Sequence, residues 1–124
     1  MSLVTQTEEG MSVALRWTRD LFGIEPRSFE AAFLTRLKLE FPDVTRAACQ
    51  ELFAQRDLIV AQTELQFAGQ SGRVKWSHAM QKLDALLEYG VKGFRMTAMS
   101  ATLKESLLQS GALLLKAGFI GTPE

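Results

Sequence analysis

Apolar side chains recur every three or four positions along most of this chain, which is the spacing of one face of an α-helix. A first helix is predicted to begin after Thr7 and to end at Gly23. Its apolar stripe consists of Val13, Trp17 and Leu21, with Leu15 and Phe22 beside it. A second helix is predicted over residues 28–40, where Ser28 caps its start and Pro42 stops it. Its apolar stripe consists of Phe29, Phe33, Leu34, Leu37 and Phe41.

The third predicted helix is the longest. It begins at an Asp43 cap and runs to about Ala68, where Gly69 can adopt the left-handed conformation that closes a helix. Its polar face is marked at seven-residue spacing by Asp43, Gln50, Asp57 and Glu64, and its apolar face by Ala48, Leu52, Ile59, Val60 and Phe67. Because the run 58–61 is apolar on nearly every side, we expect this helix to lie at the centre of the fold.

Two further helices are predicted after the loop that follows the third one. The fourth covers residues 74–89, and its apolar face consists of Trp76, Met80, Leu83, Leu86 and Leu87. The last helix follows a capping box formed by Thr102 and Glu105 and ends at Gly118. The segment 91–100 between them is ambiguous, since two glycines frame it and large apolar residues lie within it.

Strand signals are nearly absent from the chain. It contains no Asn, hence no Asn-Gly hairpin turn, and its three prolines stand at the ends of segments. The sequence therefore predicts an all-α fold, a compact bundle of five or six helices with the long third helix at its centre. We expect one domain over residues 1–124, with frayed tails at 1–6 and 119–124.

Charge and composition narrow the possible partners. The 14 basic and 14 acidic side chains cancel, so no overall field attracts nucleic acid or an anionic membrane. The chain shows neither a secretory signal nor an apolar stretch of the length that crosses a bilayer, and a cytoplasmic protein is expected. Cys49 stands alone in an apolar helical stretch, where a buried, unreactive thiol is predicted.

The chain has few of the residues that catalysis or metal binding usually requires, since it contains one Cys and one His. Cys49 and the only histidine, His78, fall on different predicted helices, and nothing near either resembles an activated nucleophile. A structural zinc site needs four Cys or His ligands, and the chain has no Glu-x-x-His pair for a di-iron site. We therefore predict no catalytic residue, no metal site and no cofactor. Haem held by His78 is the one cofactor hypothesis that these counts leave open.

A helix-turn-helix centred on Pro42 and Asp43 is a further alternative. The helix after this turn offers DNA a set of polar side chains, namely Thr45, Arg46, Gln50 and Arg56. Two features count against it. The helix is longer than a usual recognition helix, and the acidic residues on it oppose the charge of DNA.

The function that the sequence favours is a non-catalytic protein–protein interaction module, of the kind that adaptors, secretion chaperones, anti-activators and immunity proteins represent. The chain carries eight Phe, two Trp and five Met, more large apolar residues than we expect a bundle of this length to bury. The predicted interaction residues are Trp76, Phe94, Met96, Met99, Ser110 and Gly111. The partner is expected to be another protein or a second copy in a homodimer. The alternatives are a small-molecule or haem-binding bundle and, after that, the DNA-binding helix.

Overall fold

The computed structural model describes residues 26–120, and this part of the chain folds into four helices. They are α1 (Pro26–Glu40), α2 (Arg46–Gln66), α3 (Gly72–Tyr89) and α4 (Ala101–Lys116). No strand occurs in this range, and the predicted all-α class is confirmed. The first predicted helix, between Thr7 and Gly23, lies outside the described residues, as do the predicted tail 1–6 and residues 121–124.

The predicted count of five or six helices is wrong, because the described part of the chain has four. The ambiguous segment 91–100 does not form a helix. Val91 and Phe94 instead exchange backbone hydrogen bonds of 2.8 and 2.9 Å across a tight turn. Within that turn Lys92 and Gly93 have φ angles of 53° and 78°, which lie in the left-handed region and interrupt any right-handed helix.

The long helix α2 begins two residues later than its predicted Asp43 cap. Thr45 is the N-cap, and its hydroxyl accepts a hydrogen bond of 3.0 Å from the amide of Ala48. The amide of Val44 bonds the carbonyl of Phe41 at 3.0 Å and closes a turn through Asp43. Since this turn holds the chain out of the helical path, the helix starts only after it.

Helix α4, in contrast to α2, begins earlier than the capping box predicts. Ser100, and not Thr102, is its N-cap, because the Ser100 hydroxyl accepts a hydrogen bond of 3.2 Å from the amide of Leu103. The amide of Ser100 itself donates to the carboxylate of Glu40 at 2.9 Å. The end of α1 therefore meets the beginning of α4, and the two helices run antiparallel.

The helices that follow each other along the chain are antiparallel as well, as short loops predict, whereas α2 and α4 pack side by side in the same direction. Lys75, early in α3, pairs with Glu64, late in α2, at 3.1 Å. Lys104, early in α4, pairs with Asp84, late in α3, at 2.8 Å. Hence α1 and α3 begin, and α2 and α4 end, at the same end of the bundle, which we call the open end.

The centre of the fold is shared by two helices. Helix α4 packs against each of the other three, whereas α2 packs chiefly against α3 and α4. The long helix that the sequence places alone at the centre therefore shares this position with α4. The core consists of apolar side chains from all four helices and from segment 91–100, among them Leu37, Leu52, Leu83, Leu107 and Met96.

The single cysteine is buried in this core, as predicted. Burial raises the pKa of the Cys49 thiol, and the positive charge of Lys38 opposes that rise with a smaller effect. The thiolate is the reactive form, so a raised pKa leaves less of it at a given pH.

We expect Cys49 in the folded protein to react with an aromatic disulfide reagent at pH 8 at least about 100-fold more slowly than in urea, because reaction requires opening of the core. The absorbance of the released thiolate measures both rates. A cysteine introduced at the exposed position Ala85 in a Cys49→Ser background is the accessible control. Equal rates for Cys49 in the folded and unfolded protein would contradict the buried environment.

Candidate functional site

Four of the six predicted interaction residues are buried inside the chain itself. Met96 and Met99 belong to the core, where Met96 has no exposed surface. The amide of Met96 donates to the carbonyl of Leu87 at 2.9 Å, which ties segment 91–100 to the end of α3. The predicted interaction residues Met96 and Met99 therefore do not lie on the surface of the folded chain. Phe94 is half-buried, and its ring meets that of Phe41 edge-on with centroids 6.2 Å apart.

The other two buried residues, Ser110 and Gly111, accommodate a buried arginine. Arg56, on α2, is 1% exposed, and its Nη1 donates to the Ser110 hydroxyl at 2.9 Å. Its Nε donates to Asp57 at 2.8 Å, and its Nη2 lies 3.6 Å from a carboxylate oxygen of Glu30. We call Glu30, Arg56, Asp57 and Ser110 the Arg56 cluster. It joins α1, α2 and α4, so the prediction that Arg56 faces DNA is wrong.

Gly111 is the position that lets the arginine side chain cross α4. A Cβ atom at residue 111 would collide with Cδ of Arg56 and would lie 3.1 Å from both its Nε and a methyl group of Val60. On its other side the guanidinium lies 5.2 Å from the ring centroid of Phe53. Ser110 and Gly111, which were predicted as interaction residues, therefore make room for a side chain from within the same chain.

Trp76 is the predicted site residue that remains on the surface, and it lines a groove at the open end. The side chain is 38% exposed. The groove lies between α2, α3 and α4 and has a volume of about 880 Å³. We call it the α3–α4 groove. Its apolar lining is formed by Val60, Trp76, Ala79, Leu108, Ala112, Leu113, Leu115 and Ile120, and its polar lining by Thr63, Glu64, Lys75, Gln109 and Lys116.

The groove lies towards the open end of α3 and α4, away from the ion pair that joins the two helices. The ion pair between Lys104 and Asp84 joins them far from the open end. Towards the open end Lys75 pairs with Glu64 of α2, which leaves the face of α4 beside it uncovered. The side chain of Thr63 is buried in the groove wall, and its hydroxyl has no hydrogen-bond partner within residues 26–120.

His78, the candidate haem ligand, does not line the groove. Its ring stacks on that of Phe67 with centroids 3.9 Å apart and an angle of 11° between the planes. Within the described residues no group of three or more His, Cys, Asp or Glu side chains is placed to hold a metal ion. None of the helices between residues 26 and 120 has the length and apolar character required to cross a membrane.

The turn between α1 and α2 is the place of the predicted DNA-binding alternative. Pro42 and Asp43 are exposed there, as are Thr45, Arg46 and Gln50 at the start of α2. The helix that follows has 21 residues, and its opposite side buries core residues. DNA binding at this turn stays a prediction.

The chain matches no known protein-family model, no curated protein and no solved structure. Function is therefore inferred from the fold and from the α3–α4 groove.

Proposed function

We propose that this chain is a non-catalytic protein-interaction module that takes an amphipathic helix of a partner protein into the α3–α4 groove. The observation that supports this proposal is the groove itself, an open depression of about 880 Å³ with a mainly apolar lining. Open depressions with a mainly apolar lining and a few polar groups are the usual places where proteins bind ligands and the side chains of partners.

The shape of the groove favours a helix as its occupant. Its walls are residues 72–79 of α3 and residues 108–116 of α4, which run for about 10 and 12 Å along the two helix axes. A helix laid between them presents anchors at positions i, i+4 and i+8 over the same length. An elongated groove between two helices thus suits a third helix better than an extended strand, since it offers no free sheet edge.

Trp76 supplies the main anchor on the groove side. It lies on α3, lines the groove together with Leu113 and Leu115 of α4, and is only partly covered by its own chain. Tryptophan is enriched among the residues that dominate binding energy, because a large rigid ring is desolvated at little cost in conformational entropy. Glu64 and Lys75 at the rim neutralise each other, so apolar contact is expected to outweigh charge in the choice of partner.

A small apolar ligand is the second candidate. The groove volume lies within the range of about 300–1,000 Å³ that is common for ligand pockets. The buried Thr63 hydroxyl without a partner favours a ligand that brings a polar group to the groove wall. Native mass spectrometry of the purified protein distinguishes this case, since a ligand held in the groove adds a constant mass.

The proposal is tested by selecting 16-residue peptides from a random library on the immobilised full chain. We expect the selected peptides to carry large apolar residues at i, i+4 and i+8. Replacing Ala112 by Arg places a charge in the groove and is expected to weaken their binding at least about tenfold, or 1.4 kcal/mol. The matched control is Ala85→Arg, an equally exposed helical alanine of α3 outside the groove, and it leaves binding unchanged.

Selected peptides that bind both variants equally would contradict the proposed site, and peptides without helical spacing would contradict the proposed occupant. Light scattering of the unaltered chain at about 100 µM separates the two kinds of partner. A dimer that Ala112→Arg dissociates identifies a second copy as the occupant. A monomer assigns the helix to a different protein.

A further inference from the structure

We infer that Thr63 determines the specificity of the α3–α4 groove, because its hydroxyl selects a partner helix that carries one uncharged polar side chain beside its apolar anchors. This inference rests on the proposed function and names the class of partner that the groove favours. Three features of the molecule support it: the burial of Thr63, the hydrogen bond that its hydroxyl does not make, and the mainly apolar surroundings.

Thr63 lies near the end of α2 and lines the groove together with Val60, one turn earlier, and Glu64. The residue is 3% exposed, and its hydroxyl oxygen is a buried polar atom without a hydrogen-bond partner within residues 26–120. Buried hydroxyls are usually hydrogen-bonded, since an unpaired one lowers the stability of the fold. This exception therefore points to a partner that is supplied on binding.

The helix itself offers Thr63 a partner that the side chain does not use. A threonine or serine within a helix commonly donates to a carbonyl one turn earlier. Thr35 in α1 bonds the carbonyl of Ala31 at 3.1 Å, and Ser110 in α4 bonds the carbonyl of Leu107 at 2.9 Å. Thr63 makes no such bond. Its hydroxyl therefore keeps both its donor and its acceptor capacity for a group that enters the groove.

Folding has already removed the Thr63 hydroxyl from water. A hydrogen bond from an occupant is therefore not offset by lost hydration of this hydroxyl, whereas an apolar occupant leaves it unpaired, as it is in the free chain. The approach to it opens when Lys75 and Trp76 turn aside, two partly exposed side chains that line the same groove. Side-chain rotations of this kind are common when partners bind.

The surroundings of Thr63 favour an uncharged polar group. Most of the lining is apolar, and Glu64 and Lys75 pair with each other at 3.1 Å. A single hydroxyl cannot replace the hydration of a carboxylate or an ammonium group, so a buried charge is disfavoured here. The exposed amide of Gln109, on α4, adds a second uncharged donor and acceptor to the groove. Ser, Thr, Asn and Gln are therefore the side chains that suit this place.

Parallel selections test the inference. The library of 16-residue peptides is selected on the immobilised full chain and on Thr63→Val, which has nearly the same shape without the hydroxyl. We expect peptides from the unaltered chain to share an uncharged polar residue at one fixed position beside the i, i+4 and i+8 anchors, and peptides from Thr63→Val to carry an apolar residue there. The matched control Thr35→Val removes an exposed hydroxyl of α1 outside the groove and leaves the selection unchanged.

Affinities measure the strength of the bond. A peptide selected on the unaltered chain is compared with its analogue, in which an apolar residue of similar shape replaces the shared polar one. The preference for the polar peptide over its analogue is expected to be about tenfold greater on the unaltered chain than on Thr63→Val, a coupling of about 1.4 kcal/mol. Thr63→Ser keeps the hydroxyl and is expected to retain most of this coupling.

A coupling near zero, or the same residues selected on both chains, would overturn the inference. The variant Ala112→Arg shows which proposal has failed in that case. If the selected peptides depend on Ala112 but not on Thr63, the groove binds helices and only the role of Thr63 is wrong. If no peptide depends on Ala112, the proposed function is wrong as well.

Unfolding of the free chain supplies a second measurement. Because Thr63→Val removes an unpaired buried hydroxyl, it is expected to raise the midpoint of urea unfolding by about 0.5 M. Thr35→Val, at an exposed position, is expected to leave the midpoint within about 0.2 M of that of the unaltered chain. If Thr63→Val leaves the midpoint unchanged or lowers it, the hydroxyl is bonded within the chain and the inference is wrong.

Discussion

Replacing Arg56 by Ala is expected to lower the free energy of unfolding by about 3 kcal/mol. The side chain is fully buried where α1, α2 and α4 meet, so truncation leaves a cavity and removes the hydrogen bond to Ser110. Its acidic partners, Glu30 and Asp57, are each 39% exposed and can be hydrated when the guanidinium is gone. Lost packing, more than an unpaired buried charge, therefore accounts for most of the expected loss.

The variant Arg56→Met separates packing from charge. Methionine fills most of the same volume without a charge, and replacing a buried ion pair by apolar side chains is often nearly neutral. We expect it to stay within about 1 kcal/mol of the unaltered protein in urea unfolding followed by circular dichroism. If Arg56→Met is as destabilising as Arg56→Ala, the polar contacts carry the stability and the packing explanation is wrong.

Replacing Gly111 by Ala is expected to lower the free energy of unfolding by about 2 kcal/mol, although alanine is the better helix former. The helix preference favours the substitution by about 1 kcal/mol. The added methyl group opposes it more strongly, since it collides with Cδ of Arg56 and crowds Val60. Both neighbours are buried, so neither can move out into solvent without losing its packing.

Two comparisons isolate this collision. Gly72→Ala, in the first turn of α3, meets no atom within 4 Å and is expected to leave stability unchanged or slightly higher. In an Arg56→Ala background Gly111→Ala should cost less than in the unaltered chain, because the side chain it strikes is absent. Additive losses in the double variant would contradict a direct contact between the two positions.

The four described helices were readable from the sequence because each carries an apolar stripe at helical spacing and ends near Gly or Pro. Two of their starts were predicted at the wrong cap. The structure has Thr45 where Asp43 was predicted and Ser100 where Thr102 was predicted. The carboxylate of Glu40, which bonds the amide of Ser100, is 60 residues away along the chain, so no local pattern contains it.

The interaction residues were misplaced for a related reason. Phe94, Met96 and Met99 resembled surplus apolar surface because the fold of segment 91–100 was not readable from its pattern. One signal for the Arg56 cluster was present and was missed. Arg56 follows Leu52 and precedes Val60 by four residues, so it stands on the buried stripe of α2, where an arginine needs partners.

The groove itself could not be predicted from the sequence. Trp76 was identified as a residue without an obvious place in the core, and it does line the groove. The opening beside it depends on how far α3 and α4 diverge, which the packing of the helices determines. The pairings of Lys75 with Glu64 and of Lys104 with Asp84, 11 and 20 residues apart along the chain, follow from that packing.

The position of α4 has a consequence for synthesis of the protein on the ribosome. Helix α1 is complete at Glu40, but the helix against which it packs ends only at Lys116, 76 residues later. At about 5–20 residues per second, translation takes about 4–15 s to cover that distance. Throughout this interval the apolar side of α1, including Leu37, lacks its main partner and is open to chaperones and to other nascent chains. A codon-dependent pause before residue 101 lengthens that exposure.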